Sequence, residues 1–409
     1  MKNKFMKVVV YLQLLAISVL LSGCWDSTQI DDRALILGLA IDEAGPEASK
    51  KEDLANHKER DVKQLNKNMI RLTAQIAVPG RVPLGPGNGG SSDSKKSSPV
   101  WVVQVVGHTI EDAMNNLQQE IADPRFLEHL RIIVISENIA ERGLDDLNDV
   151  FRRNAQVRRS TWLLVTDTKA SDLMEVAPPL ERVPTLYVLS MLEKSVEMGK
   201  FPEMYLSHFW NNGSKLGQNP FLPYISIREG ENILINGFAF FRNNKMVGTT
   251  SSPIEIGVYM AAKGINPGGY TVLFPVQDTG YVMVRAKKRK SYTKVRIQNG
   301  KPHADIDVYI HGELVEKLSA NTNIDTTLDL KKIEEEQERR TTMAINDLIK
   351  ETQKVKSDIF GLGEYVRAHE RSYWNENVRA KNDWENLYAG MSIHVNVKVN
   401  IRRVGMKIK

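Results

Sequence analysis

The chain has 409 residues, a formal net charge of +5, 42% hydrophobic and 26% charged residues, and one cysteine. That length suits two or three domains with a core large enough to need no disulfide after export. The small positive excess, part of it from Lys2, Lys4 and Lys7, is a poor argument for nucleic-acid binding. No stretch beyond the N-terminal segment approaches the ~18 apolar residues that mark a membrane-spanning helix.

Lys2, Lys4 and Lys7 precede a mostly apolar run from Val8 to Leu21, closed by Leu21-Ser22-Gly23-Cys24. A basic region, a short apolar region and small residues before a cut site make a secretory signal. Here the small residues lead into cysteine, the pattern of a bacterial lipobox. In that pathway the Cys24 thiol takes a diacylglyceryl group and the signal peptide, residues 1–23, is removed. Small side chains at Ser22 and Gly23 fit a peptidase site at the membrane face, and only a thiol can form the thioether. Two acyl chains anchor stably, since each buried CH₂ contributes about 0.8 kcal/mol. The alternatives are a spanning helix and an ordinary secretory signal with a chance cysteine. Against the helix, the run holds Gln13 and Ser18 and falls short of the about 20 residues a span takes.

Ala34 to Ile41 is an apolar run bounded by Asp42 and Gly45-Pro46, which reads as a buried strand. Residues 47–68 are highly charged and read as a loop. Met69 to Val78 alternates as a second strand. Residues 79–99 form a Gly/Pro/Ser-rich loop. Within it Gly85-Pro86-Gly87-Asn88-Gly89-Gly90 matches GxGxxG, but Pro86 sits inside the motif and no apolar helix follows, so a surface loop is the reading. Trp101 to Val106 is a strand. Thr109 and Asp112 form a capping box for a helix over 110–122, with Ala113, Leu117 and Ile121 on one face. Leu130 to Ile135 is a buried strand, Ser136 caps a helical region over 138–153, and Trp162 to Val165 is the next strand. Alternating strands and helices between 101 and 166 point to a sheet layered with helices. Helices follow over 170–176, 185–199 and 203–211.

The pattern then changes. Pro220-Phe221-Leu222-Pro223-Tyr224 reads as an irregular passage. Ile233 to Phe241 and Lys245 to Val247 flank Arg242-Asn243-Asn244, a hairpin signal. Ser252-Pro253 opens a short helix to about residue 263. From about 270, Tyr281 to Lys287, Thr293 to Ile297 and Ala304 to Leu314 alternate, predicting an antiparallel meander with one wet face. A long helix spans about 326–356, with Glu334, Glu335, Glu336 and Glu338 assigned to its solvated side. Another helical region covers 364–388. The chain closes with Ile393, Val395, Val397, Val399 and Ile401, a clear period of two. The divisions drawn are an N-terminal α+β domain over 24–198, a small middle domain over 199–268, and a C-terminal α+β domain over 269–409 with an antiparallel sheet and a long helix.

Chemistry-bearing motifs are few. The eight histidines form neither HExxH nor a ligand-pair spacing, and His303 and His311 are too far apart on strand-like sequence to share an ion. No Walker loop or GxSxG elbow occurs. No catalytic residue, metal site or cofactor site is expected. Arg152, Arg153, Arg158 and Arg159 form one basic cluster, and Lys287, Lys288, Arg289, Lys290, Lys294 and Arg296 another. Either fits lipid headgroups or an acidic partner, and a plain solvated face is the commoner arrangement. Asp305, Asp307 and Glu313 leave a hydrolase of the cell envelope open. Trp374 and Trp384 read as core anchors, and Gly361 and Gly363 as a tight turn between helices.

The chain resembles the Ger(x)C family, the lipoprotein C subunits of spore-former nutrient germinant receptors. The resemblance runs through Gly23-Cys24-Trp25-Asp26, the strand ending Gly38-Leu39-Ala40-Ile41-Asp42, and Leu127-Glu128-His129-Leu130-Arg131 with the apolar strand after it. It continues through Phe151-Arg152-Arg153 with Arg158, Gly237-Phe238-Ala239-Phe240-Phe241 and Met246-Val247-Gly248. It ends in Asp358-Ile359-Phe360-Gly361-Leu362-Gly363-Glu364, Trp374, Trp384 and the last strand. The departures are Asn154, where an acidic residue is common, and the long loop over 85–98. The resemblance implies three α+β domains in series after a cleaved lipoprotein signal peptide, and a protein that is not an enzyme. It implies anchoring by lipid to the outer face of the cytoplasmic (inner spore) membrane, beside an integral-membrane A subunit and a transporter-like B subunit. The alternative is a lipoprotein that captures a solute for a membrane transporter, which would need a cleft between two similar lobes.

Overall fold

The computed structural model describes residues 33–45, 69–78, 98–176, 181–229, 232–250, 252–277, 280–318 and 327–403, with Ala48 and a few positions before residue 14. The fold is α+β and is built on two sheets. The first holds β1 (Ala34–Glu43), β2 (Ile70–Ala77), β3 (Val100–Gly107), β4 (Arg125–Phe126), β5 (Ile132–Ser136), β6 (Trp162–Thr166), β7 (Phe221–Arg228), β8 (Asn232–Arg242) and β9 (Lys245–Thr249). Its order is β3-β2-β1-β5-β6-β7-β8-β9, with β4 beside β1. The four central strands β1, β5, β6 and β7 run parallel, while β2–β3 and β8–β9 are antiparallel wings.

The central strands read as unbroken apolar runs because both faces are covered, the usual state of a parallel sheet. On one face Leu39, Ile133 and Leu163 pack with α1 (Ile110–Glu120), α2 (Glu137–Arg142), α3 (Asp145–Arg153) and α5 (Leu206–Ser214). On the other, Ala40, Val134 and Leu164 pack with a 3-10 turn (Ala170–Met174), α4 (Pro184–Glu197) and α6 (Ile254–Ala262).

That second core runs on without a break into the second sheet. This sheet has the order β10 (Thr271–Val276), β11 (Gly280–Gln298), β12 (Lys301–Lys317) and β13 (Ser392–Arg403). α7 (Thr327–Lys354), α8 (Leu362–His369), α9 (Arg371–Asn377) and α10 (Lys381–Ala389) lie between β12 and β13 in the chain. The inward side chains Ile306, Val308, Val397 and Val399 share a core with Ile333, Ile345, Leu348 and Ile349 of α7.

Several expectations need correction. The last sheet is mixed: β10, β11 and β12 are antiparallel, but β13 pairs parallel with β12. The chain leaves β12 and returns through four helices, a crossover long enough to make a parallel pair. The two short strands expected over 281–297 are one 19-residue strand, with an irregularity between Ala286 and Lys288. The helix expected over 138–153 is broken at Gly143, whose φ of 123° stops α2, and Ser136 makes no side-chain cap bond. The passage at 220–224 is regular and opens β7. β7, β8 and β9, within the segment 199–268, hydrogen-bond into the first sheet. The loop carrying the GxGxxG match lies outside the described residues.

Candidate functional site

Beyond the carboxyl ends of β1, β5 and β6 lies a crevice of about 730 Å³, lined among others by Asp42, Arg71, Ser136, Glu137, Asp167 and Lys169. In open α/β sheets this is where ligands bind. Asp42 is buried at the end of β1, where the backbone N–H groups of Ala170 and Ser171 donate to its two oxygens at 2.7 and 2.9 Å. Burial nevertheless pushes its carboxyl above the usual range. Asp42 therefore ties the 3-10 turn to the strand that precedes it by more than a hundred residues. Tyr224 donates to Glu137 at 3.2 Å and Ser226 to Asp167 at 2.6 Å. Among the described residues the buried Ser136 hydroxyl has no hydrogen-bond partner. The crevice can recognise a polar solute.

Among the described residues no three His, Cys, Asp or Glu side chains gather as a metal site. The carboxylates that left a hydrolase open lie along β12, each engaged by a neighbour. Asp305 pairs with Arg296 and His303, Asp307 accepts from Asn396 at 3.2 Å, and Glu313 faces Arg285 and Lys287 at 3.4 and 3.2 Å.

A second polar site joins the two sheets. Asp358, on the segment before α8, is fully buried. Its Oδ2 accepts from the Gly363 N–H and the Trp384 indole N–H, both at 3.0 Å. Its own backbone pairs with Asn219, just ahead of β7: the Asn219 N–H donates to the Asp358 carbonyl at 2.8 Å, and the Asp358 N–H to the Asn219 side chain at 3.0 Å. Asn219 in turn donates to the buried Glu385 of α10 at 2.8 Å. The Ser357 hydroxyl donates to the Phe241 carbonyl at the end of β8. Desolvation raises the Asp358 carboxyl and lowers Lys263, whose ammonium donates to the Phe360 carbonyl at 2.7 Å. Desolvation also pulls Lys381 down to about 8. Gly361 has a left-handed φ of 68°, and at Gly363 an added Cβ would meet the Gly217 backbone and the Trp384 ring at 2.5 Å. Trp374 packs tilted at 37° against Trp384, ring centroids 5.5 Å apart. The stretch Asp358–Glu364 with Trp374 and Trp384 is thus a latch between the sheets.

The sequence-predicted site residues Leu21, Ser22, Gly23 and Cys24 lie outside the described residues. Asn219, Glu385 and Asp42 were missed by sequence reasoning. Only a buried position could have singled them out, and lone polar residues give no such signal. Arg289, read as part of an exposed basic cluster, is buried: its guanidinium donates to the carbonyls of Gly199 and Gly268 at 2.9 and 2.8 Å, and desolvation lowers it to about 10.

Residues 26–227 match the model of the spore germination protein N-terminal domain, and residues 236–405 that of the spore germination B3/GerAC-like C-terminal domain. Spore germination protein B3 of Bacillus subtilis (strain 168) is 24% identical, with 97% of each chain covered. Spore germination protein A3 of the same organism is 25% identical over 95% of this chain and 96% of its own. GerQC of Bacillus cereus is 24% identical over 78% of this chain and 85% of its own. The crystal structure of GerBC superposes with a TM-score of 0.57 at 18% identity, covering 83% of this chain and 99% of that one, which shows the same fold. The domain matches run in order along nearly the whole chain, and the chain belongs to the spore germination B3/GerAC-like family.

Proposed function

We propose that this protein is the lipid-anchored, non-catalytic C subunit of a spore nutrient germinant receptor. Its family places it in spore germination. The finer reading rests on the lipobox Leu21-Ser22-Gly23-Cys24 ahead of the family's two domains. No helix among the described residues is long and apolar enough to cross a membrane, so a lipid on Cys24 would supply attachment. The tether would hold the body on the outer face of the cytoplasmic (inner spore) membrane. That raises its effective concentration beside an integral-membrane A subunit and a transporter-like B subunit. The latch supports a scaffold: it couples the two sheets through buried hydrogen bonds, so a load on one is carried to the other. In this reading the protein assembles the receptor or passes on its signal.

A second reading, solute capture for a transporter, is favoured by the crevice beside Asp42 and Ser136. Against it, the described residues form two unlike sheets, one of nine strands and the other of four.

The test is a tagged pull-down from dormant-spore membranes with wild type and Cys24→Ala. Integral-membrane receptor subunits should co-purify with wild type and be depleted with the variant. Recovery of the wild type alone, or with a solute permease, would overturn the receptor reading.

A further inference from the structure

Among the described residues the outward side chains of the second sheet are largely exposed, while its inward side chains face α7 and the rest of the core. Register puts Lys288, Lys290, Tyr292, Lys294 and Arg296 of β11 directly opposite His311, Tyr309, Asp307, Asp305 and His303 of β12. Tyr309 in turn lies opposite Lys398 of β13. All five β11 residues are exposed. Tyr281, Tyr292 and Tyr309 are 52%, 56% and 41% exposed, and the rings of Tyr292 and Tyr309 meet edge to face at 6.0 Å.

The balance of charge on this face is positive. The acids are fewer than the bases: Asp305 is paired by Arg296 and His303 and Glu313 by Arg285 and Lys287, while Asp307 keeps its charge beside the neutral Asn396 amide. Lys288, Lys290 and Lys294 have no ion pair among the described residues. The buried Arg289 is not part of this charge.

We propose that this sheet face docks on an anionic lipid surface, through Lys288, Lys290 and Lys294 with Tyr292 and Tyr309 among them and Tyr281 farther along β11. A protein partner fits less well. Protein interfaces are depleted of lysine, whereas this face is rich in it. Lysines beside a membrane are drawn to anionic headgroups. Tyrosine, apolar along its ring and polar at its tip, suits the headgroup region. The inference rests on the proposed function, in which a lipid on Cys24 holds the protein at a bilayer.

The experiment uses the full chain, purified from membranes and reconstituted into vesicles of phosphatidylcholine alone or of equal parts phosphatidylcholine and phosphatidylglycerol. Lysine acylation is then mapped by mass spectrometry. Lys288, Lys290 and Lys294 should label about threefold or more slowly on the anionic vesicles, with protection lost in high salt. Lys350, on the exposed side of α7, should label alike on both. In Lys290→Glu/Lys294→Glu the protection of Lys288 should disappear with the circular dichroism unchanged. Equal labelling of Lys288, Lys290 and Lys294 on the two vesicles would overturn the proposal. So would protection that appears only after receptor subunits are added, which would give the face to a protein. Flotation with neutral vesicles reports the anchor separately, so loss of the tether and loss of the lipid-facing surface are told apart.

Discussion

Trp384 donates its indole N–H to Asp358 at 3.0 Å, and both side chains are fully buried. The contact spans two pieces of chain, α10 and the segment before α8, that have no sequence reason to meet. Asn219, which pairs with the backbone of Asp358 and with the side chain of Glu385, extends it to the first sheet. A buried polar group that is satisfied adds little net stability, but one left without its partner costs its desolvation. The latch is therefore more sensitive to single truncations than to its removal as a set.

Asp358→Ala leaves the Gly363 N–H and the Trp384 indole N–H buried without an acceptor. The expected loss is about 3 kcal/mol, read from the urea unfolding midpoint, as one to three kcal/mol is typical for each such group. Asn219→Ala removes one donor from Glu385, which keeps Arg242 at 3.9 Å, and takes the acceptor from the Asp358 N–H, and should cost a similar amount. The two losses should not add in the double variant, because the residues belong to one network.

Gly363→Ala tests the close packing of the same corner. The new methyl would overlap the Gly217 backbone and the Trp384 ring, so one must move. Overpacking of this kind costs about 1–3 kcal/mol. Gly390→Ala is the control, since an added Cβ there meets nothing within 4 Å. A drop in melting temperature for the first and not for the second is the expected result.

Much of this architecture was legible in the chain. The alternation from Ile393 to Ile401 became β13, the apolar run from Ala34 became β1, and Thr109 caps α1 by accepting from the Asp112 N–H at 3.1 Å. Asn243 and Asn244, read as a hairpin, both take positive φ between β8 and β9. These are local signals. What could not be read is set by distant chain. β13 is parallel because helices carry the chain back, and β11 is continuous because β12 pairs along its length. Arg289 is buried because Gly199 and Gly268 offer it carbonyls. The polar residues of the latch carry no periodicity, so Asn219 and Glu385 gave no sign of their burial.

Lys381 sets a pH dependence of known sign. Its ammonium donates to the carbonyl of Gly213 at 2.8 Å, and burial holds it down at about 8 against an ordinary 10.5. Between those values the unfolded chain binds the extra proton, so stability rises with pH from about 8 toward 10. Above 10 the buried phenols of Tyr259 and Tyr388, both raised, act in the opposite direction. Chemical denaturation from pH 7 to 10 should show the rise, and Lys381→Met should reduce it, the remainder coming from Lys263 and Arg289, which burial also lowers.

The far edge of the second sheet is closed by α7. The Val399 N–H donates to Glu338 at 3.0 Å and the Ile401 N–H to Glu334 at 2.7 Å. These two glutamates, expected on the solvated side of the helix, cap backbone donors that an edge strand would otherwise offer to another chain. Glu338 also faces Lys398 at 3.3 Å. Hydrogen bonds to a charged acceptor contribute about 1.5–3 kcal/mol each, so Glu334→Ala/Glu338→Ala should destabilise by about 3 kcal/mol. It should also expose the edge of β13 to pairing between copies. Sedimentation over a range of concentrations should show self-association in the double variant and not in the wild type. Glu335→Ala, at an exposed neighbour that faces Lys331 on the helix surface at 3.9 Å, should behave as wild type. A double variant that lost stability without associating would mean the carboxylates hold α7 in place but do not shield the edge.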